Sequence, residues 1–439
     1  MADKMITQPR VLVLAQNKMQ PFTGGGVVLS NLFSEFESQK VIFIHRDKDY
    51  KYESGMREFK VNASWLKLNP IELIKIFFKY TLLALINPLK IRLNDILKLL
   101  LQSSHFCLPK LEDEQIKVFS PQVLYAWVSD CFWARSVIEV ASRYNIPYVI
   151  HYMDNHIEMN SNSLVDLSLK DDFTMLLNKV NEKADRLYVI SESMGAAYSK
   201  RWGKQCEVFH GLLDHEMWPW PNSKTEIDDG VFRIAFTGSA ENGQLKGLKT
   251  IAESIARITN KAQCDIRLIL YLTQNYALRV KSYLADFSFI EIRPHPNFSN
   301  LRSELASVDA LLLAYGTDEQ TINYYRYSFA TKIVPYMMSD RAIFVYGPEE
   351  IEPIAYAKRD SWATVCISEL PNDIDDSLLT FVKNLEQRKK MAEHAWCVGR
   401  NEHDLKINSN RFSDSLISTT IYSIGISAAP FTMVSLGSV

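Results

Sequence analysis

Residues 231–250, VFRIAFTGSAENGQLKGLKT, decide how this chain is read. Phe232–Phe236 is nearly an unbroken apolar run, the pattern of a parallel strand buried on both faces. The turn Gly238-Ser239 lets the backbone approach a ligand closely, and the following helix offers partial positive charge at its N-terminus. Lys246-Gly247, placed at the mouth of that helix, adds a full charge. Strand, glycine turn and basic helix start together predict a pocket for a phosphate or diphosphate. The position matters as much: the unit opens the second half of the chain.

Working outward, strand and helix signals alternate along the whole sequence, which predicts α/β architecture with parallel sheets. Arg10–Gln16 reads as the first strand, followed by a turn at Thr23-Gly24-Gly25-Gly26 and a helix from Val27. Further strands are expected at Val41–His45, Val123–Val128, Tyr148–Tyr152, Leu187–Ser191 and Glu207–His210, with helices at Phe132–Tyr144, Phe173–Lys183 and Glu192–Trp202. Trp218-Pro219-Trp220-Pro221-Asn222 and the polar run to Gly230 read as a linker. The pattern then restarts, with strands at Phe232–Phe236, Ile266–Leu272, Phe289–Arg293, Ala310–Ala314, Ala342–Tyr346 and Thr364–Ile367. Helices are expected at Leu248–Thr259, Leu301–Ser307, Thr331–Met338 and Leu378–His394, and a last one near Asn408–Tyr422. The reading is two Rossmann-like, doubly wound domains facing across a cleft. They span 1–217 and 231–405, joined by a linker at 218–230, with a C-terminal helix and tail, 406–439, packing back on the first domain.

Composition narrows the function. At 439 residues the chain exceeds the usual limit of one core. A net charge of −2 gives no support to nucleic-acid binding, which calls for a strong basic excess. The six cysteines form no CxxC pair, which fits a reducing cytosol and argues against a zinc ribbon. MADKMITQPR lacks a signal-peptide core, so a cytoplasmic protein is expected. Residues 71–101 stand apart: Asn87-Pro88 divides two apolar helical pieces, neither with the roughly 20 uninterrupted apolar residues of a membrane span. Their five basic against two acidic residues suit peripheral contact with an anionic membrane, while a hairpin on the protein's own core or a dimer interface fits the same pattern.

Several stretches, in order, resemble GT-B glycosyltransferases, particularly the family 4-like bacterial group that builds surface polysaccharides from nucleotide sugars. Gly24-Gly25-Gly26 is similar to that family's N-terminal glycine loop, and ADRLYVISESMGAAYSKRWGK (184–204) to the segment closing its first domain. VFHGLLDHEMW (208–218) resembles the turn into the second domain, with His210 where Asn is usual. GSAENGQLKGL (238–248) is similar to the diphosphate-binding turn and its lysine, and SFATKIVPYMMSDRAIFVYGP (328–348) to the donor-site helix and the strand after it. The resemblance implies transfer of a sugar from a nucleotide sugar to a saccharide or polyprenyl-linked acceptor, with no metal and no cofactor besides the donor. It places donor diphosphate among Gly24, Gly25, Gly26, Gly238, Ser239, Lys246, Gly247 and Lys332.

The sequence also departs from the family. Many retaining members carry two glutamates eight positions apart at the donor helix; here Tyr327 and Pro335 take those places, and neither can act as a carboxylate. Lys332, one turn before Pro335, becomes the main polar group on that helix facing the cleft. In the first domain, PYVIHYMDNHIE (147–158) ends a strand with Asp154, Asn155 and His156, where open α/β sheets bind ligands. Asp154 or His156 can take the proton of an acceptor hydroxyl, or Asp154 and Asn155 can simply cap the loop. Asp130 is a second candidate that could equally cap the next helix, as Ser191 is expected to cap its own. HPNF (295–298) fits a nucleotide contact or an ordinary loop, and Asp47-Lys48-Asp49 matches a bare metal signature of a different fold. Two other functions stay open: a transferase-like partner without turnover, and a nucleotide-sugar epimerase of the same shape.

Overall fold

The computed structural model describes residues 8–20, 24–46, 54–67, 93–159, 164–220, 229–262 and 264–423, with Ile74, Phe77, Phe78 and Thr81 besides. The strands of its first half are β1 (Val11–Ala15), β2 (Val41–His45), β3 (Arg57–Lys60), β4 (Leu66–Lys67), β5 (His105–Phe106), β6 (Val123–Trp127), β7 (Tyr148–Tyr152), β8 (Arg186–Val189) and β9 (Cys206–Val208). The second half supplies β10 (Val231–Gly238), β11 (Asp265–Leu272), β12 (Ile290–Pro294), β13 (Ala310–Ala314), β14 (Ala342–Tyr346) and β15 (Thr364–Cys366).

Two parallel sheets result. The first has the order β3-β2-β1-β6-β7-β8-β9 and the second β12-β11-β10-β13-β14-β15, while β4 and β5 form a small antiparallel pair. β1, β2, β6, β7, β13 and β14 are buried along their whole length, as parallel strands covered by helices on both faces must be. Strand order reverses between β1 and β6 and again between β10 and β13. Crevices at such reversals, beyond the carboxyl ends of the strands, are where these sheets bind ligands.

Alternation along the second sheet divides its core. Ile234, Phe236, Leu268 and Leu270 belong to one buried cluster. Their neighbours Ala235, Ile269, Tyr271, Leu311 and Leu313 join a larger cluster that continues through Ile333, Val334 and Phe329 into Leu212, Phe209 and the core of the first sheet. The two sheets therefore share one apolar layer. The last helix, Leu405–Ser423, lies on the first sheet, with the Phe412 ring 5.1 Å from Phe33, 5.6 Å from Tyr125 and 5.3 Å from Phe209.

Element boundaries moved where glycine misled. The first helix starts at Gly24, not Val27, so the three glycines form its first turn and no loop. A Cβ on Gly25 would run into the Trp127 ring and one on Gly26 into the Lys18 backbone, so close approach outweighs the poor helix propensity of glycine. The helix after β10 starts at Asn242, not Leu248, because the Glu241 carbonyl already accepts from Leu245 N–H at 2.8 Å. Lys246 and Gly247 thus sit one turn inside the helix, not at its mouth. The single helix expected over Leu378–His394 is two, Pro371–Lys383 and Leu385–Glu402, divided where Asn384 caps Gln387 N–H. Asp47-Lys48-Asp49, 82–92 within the apolar segment, 221–228 of the linker and 424–439 of the tail lie outside the described residues.

Candidate functional site between the two sheets

The site is built on the β10 turn. Gly238 has φ +99°, a left-handed conformation that favours glycine, and a Cβ there would meet the Lys332 Nζ at 3.5 Å. Ser239 follows, half-buried. Glu241 caps the 242–262 helix through its carbonyl while its side chain accepts two hydrogen bonds, from the Tyr324 hydroxyl at 2.9 Å and the Tyr276 hydroxyl at 3.3 Å. Glu241, Gly243, Lys246, Tyr276, Arg279 and Tyr324 line a cavity of about 250 Å³. Lys246 donates into an ion pair with Asp318 at 3.0 Å, and Asp318 in turn caps the Glu319–Tyr325 helix.

Lys332 lies at the start of the Ile333–Met337 helix. Part of its stem is accessible, but its ammonium is sealed from solvent and has no hydrogen-bond partner among the described residues. The ammonium sits 3.6 Å from the Phe236 ring centroid, a cation–π contact that replaces some of the lost hydration. Burial pulls its pKa down to about 7, against the opposing pull of the Glu241 charge. His295 of the HPNF loop is within electrostatic reach of Lys332, and its Nδ1 faces its own neighbour's carbonyl, Pro296 O, at 2.9 Å.

From the first domain, Asp154 reaches this same region. Ser328 Oγ donates to its carboxylate at 3.3 Å across the two sheets, and Asn155 Nδ2 approaches the Asn323 carbonyl at 3.5 Å. Burial pushes the Asp154 pKa up to about 7; Ser328 opposes the rise and the charge of Glu241 adds to it. A carboxyl group titrating there is tuned for proton transfer near neutral pH.

His156 turns the other way. Its ring is 6.5 Å from Trp127, its Nε2 is buried with no partner among the described residues, and burial holds its pKa at about 4 with Asp130 opposing. Asp130 is committed twice, capping Trp133 N–H at 3.0 Å and pairing with Arg46 at 2.6 Å, which removes it as a free base. Gly25 and Gly26 are explained by packing, while a Cβ on Gly24 would meet none of the described residues within 4 Å. Gly247 packs where a Cβ would strike the Tyr315 backbone, so its smallness brings helix onto strand. The structure therefore brings Gly238 and Lys332 together, puts Lys332 and Asp154 within electrostatic reach of Glu241, and lets Lys246 line the adjoining cavity, while Gly25, Gly26 and Gly247 serve packing and the His156 ring lies near Trp127. Tyr327, at the place of one lost acid, gives its carbonyl to Ser191 Oγ at 2.8 Å, and Ser191 caps its helix at Met194 N–H.

Comparison with solved structures follows this geometry. The chain superposes on trehalose 6-phosphate synthase from Burkholderia multivorans with a TM-score of 0.63 at 12% identity, covering 97% of this chain and 100% of that one. Sucrose-phosphate synthase from Thermosynechococcus elongatus gives 0.63 at 11% identity, over 92% of this chain and 98% of that one. Anabaena HepE, solved with UDP and glucose, gives 0.61 at 12% identity, over 93% of this chain and 100% of that one. The fold is GT-B. No protein-family model and no curated protein sequence matches the chain.

In this GT-B chain, reading the sequence missed Glu241, Tyr276, Tyr324 and Ser328. An acid just ahead of a helix start is a visible signal, and Glu241 stands inside the motif that opens the second domain. Tyr276 and Tyr324 carried no such signal, since they arrive from separate helices, Gln274–Tyr283 and Glu319–Tyr325.

Proposed function

We propose that the protein transfers a sugar from a nucleotide sugar to a saccharide or lipid-linked acceptor, in the building of a surface polysaccharide. The observation that carries this reading is the approach of Asp154, from the end of β7, to Ser328 of the other domain, with the Glu241 charge acting on both Asp154 and the buried Lys332 beside Gly238. Asp154 takes the proton of the acceptor hydroxyl as its oxygen bonds to the anomeric carbon, and the bond from that carbon to the donor phosphate breaks. Lys332 and Lys246 meet the charge left on the departing nucleotide. The reaction needs no cofactor besides the donor. Support comes from neighbours of the same fold: HepE was solved with UDP-glucose, and WaaG is named as a glycosyltransferase of lipopolysaccharide biosynthesis.

The test is a thermal-shift panel of nucleoside diphosphates followed by transfer assays with the matching nucleotide sugars. A ligand at 100 times its Kd raises stability by about 2.7 kcal/mol. Absence of any shift across the panel would defeat the reading. A second reading, a transferase-shaped partner without turnover, is favoured by Tyr327 and Pro335 in place of paired acids. Donor binding with neither transfer nor hydrolysis would decide for it.

We also infer that the 71–101 segment docks on an anionic membrane at its cytoplasmic face. Ile74, Phe77 and Phe78 share one helical face at i, i+3 and i+4 and are 57%, 64% and 68% exposed. Among the described residues no helix is long and apolar enough to cross a membrane. Co-sedimentation with vesicles containing phosphatidylglycerol should fall on replacing Phe77 and Phe78 by Ala; equal pelleting of variant and wild type would remove the membrane from this account.

A further inference from the structure

We propose that Glu241 determines specificity at the donor site: its carboxylate stands where a phosphate group would be received, and a bound diphosphate must share Lys332 with it. This rests on the nucleotide-sugar reading of the site and adds a residue that the family resemblance did not supply.

The start of a long helix, a glycine turn and tyrosine hydroxyls are the groups that receive phosphate oxygens. Here the two tyrosine hydroxyls, Tyr324 at 2.9 Å and Tyr276 at 3.3 Å, are spent on the two oxygens of one side chain of the protein itself. These donors come from two different helices, so the carboxylate is held in place and does not swing. Three residues before it, Gly238 adjoins the Lys332 ammonium, which is sealed from solvent and has no hydrogen-bond partner among the described residues. That ammonium is an unfilled donor beside the turn. Lys246, the other lysine, is already answered by Asp318 at 3.0 Å.

A diphosphate seated on Lys332 therefore lies beside a fixed negative charge. Attraction to the lysine is offset by repulsion from Glu241, and the balance limits affinity for free nucleoside diphosphate. The leaving group of the proposed reaction is that same diphosphate, so a carboxylate in this place favours its release. The Glu241 charge also bears on Asp154, which ties donor and acceptor sides to one residue.

The test is calorimetric titration of uridine, adenosine and guanosine diphosphates, each beside its nucleoside, into wild type, E241Q, K332M and the double variant. Gln keeps the size of the side chain and one carbonyl to accept from a tyrosine. The expected result is at least a tenfold tighter diphosphate in E241Q, with nucleoside binding unchanged, and no such gain in the K332M background. An unchanged diphosphate overturns the proposal, as does an equal gain for the nucleoside or an equal gain in both backgrounds. A weaker diphosphate in E241Q overturns it by making the carboxylate a ligand for the nucleotide's own hydroxyls. Binding by no variant overturns the nucleotide reading itself, whereas binding unaffected by E241Q overturns this inference alone.

Discussion

Around Gly238 the second domain gathers charged groups that act on one another, whereas at the ends of β6 and β7 the first domain leaves uncharged polar atoms unpaired among the described residues. Lys246 has Asp318 at 3.0 Å, and Lys332 has the charge of Glu241 nearby. Across the interface, the buried Nε1 of Trp127 and Nε2 of His156 have no partner among the described residues, and burial keeps His156 neutral at pH 7. The difference separates two kinds of recognition. The first is a contest among charges, which a ligand enters by displacing or outbidding resident groups. The second offers hydrogen-bonding atoms without net charge, which suits a hydroxyl-rich ligand. Asp154 belongs to the first domain by sequence, touches Ser328 of the second, and feels the charge of Glu241.

The largest test of that division is Asp154→Asn. Turnover should fall by roughly 10²–10⁴-fold with donor affinity preserved, the span expected for loss of a general base. In the wild type, kcat/KM should rise with pH through about 7 as Asp154 loses its proton. Its stability effect has the opposite slope. A folded pKa above the unfolded 3.8 means the contribution is fully present below 3.8 and is lost as pH rises through about 7. Urea midpoints of wild type and variant should therefore converge at low pH and diverge above 7, the variant being the more stable.

Lys332→Met comes next. Diphosphate affinity should drop about ten- to a hundredfold, as expected for losing a charge-assisted contact. Its folded pKa of about 7 lies below the ordinary 10.5, so the folded protein binds the proton less readily. The cost of keeping it charged is fully present below pH 7 and disappears as pH rises toward 10.5. The variant should be more stable than wild type at pH 6 and comparable at pH 10. A variant no more stable at pH 6 would break the claim that this ammonium is poorly compensated.

Smaller effects sharpen the comparison. Gly247→Ala should cost about 1–3 kcal/mol of stability, read from urea unfolding, because helix and strand must separate to admit the methyl group. Its nucleotide affinity should stay unchanged, since Gly247 contacts the Tyr315 backbone and not the cavity. Tyr324→Phe removes one donor to Glu241 and should cost about 0.5–1.5 kcal/mol by the same measurement. A larger loss would show that Glu241 depends on that hydroxyl far more than on Tyr276.

Much of the fold was legible. Runs such as Ala310–Ala314 and Ala342–Tyr346 leave a buried parallel strand as the natural reading, and their spacing leaves room for crossover helices. Helix starts were less legible, because Gly24 to Gly26 and Asn242-Gly243 look like turns to local propensity. In both places a close neighbour, the Trp127 ring or Thr321 and Tyr325, makes glycine a packing requirement inside a helix. At the site, Asp154 and Lys332 were visible as charged residues at strand and helix ends. Their environments were not, since burial, the Phe236 ring beneath Lys332 and Ser328 beside Asp154 all come from distant segments.

By itself, the amino-acid order determined two parallel-sheet halves and an anion-attracting turn at the head of the second, since apolar periodicity and glycine placement act over a few residues. Only the tertiary structure decided which charges oppose one another there. Glu241, Tyr276, Tyr324, Lys332 and Asp154 are spread over 154–332, and electrostatic coupling depends on distance through folded space and on exclusion of water.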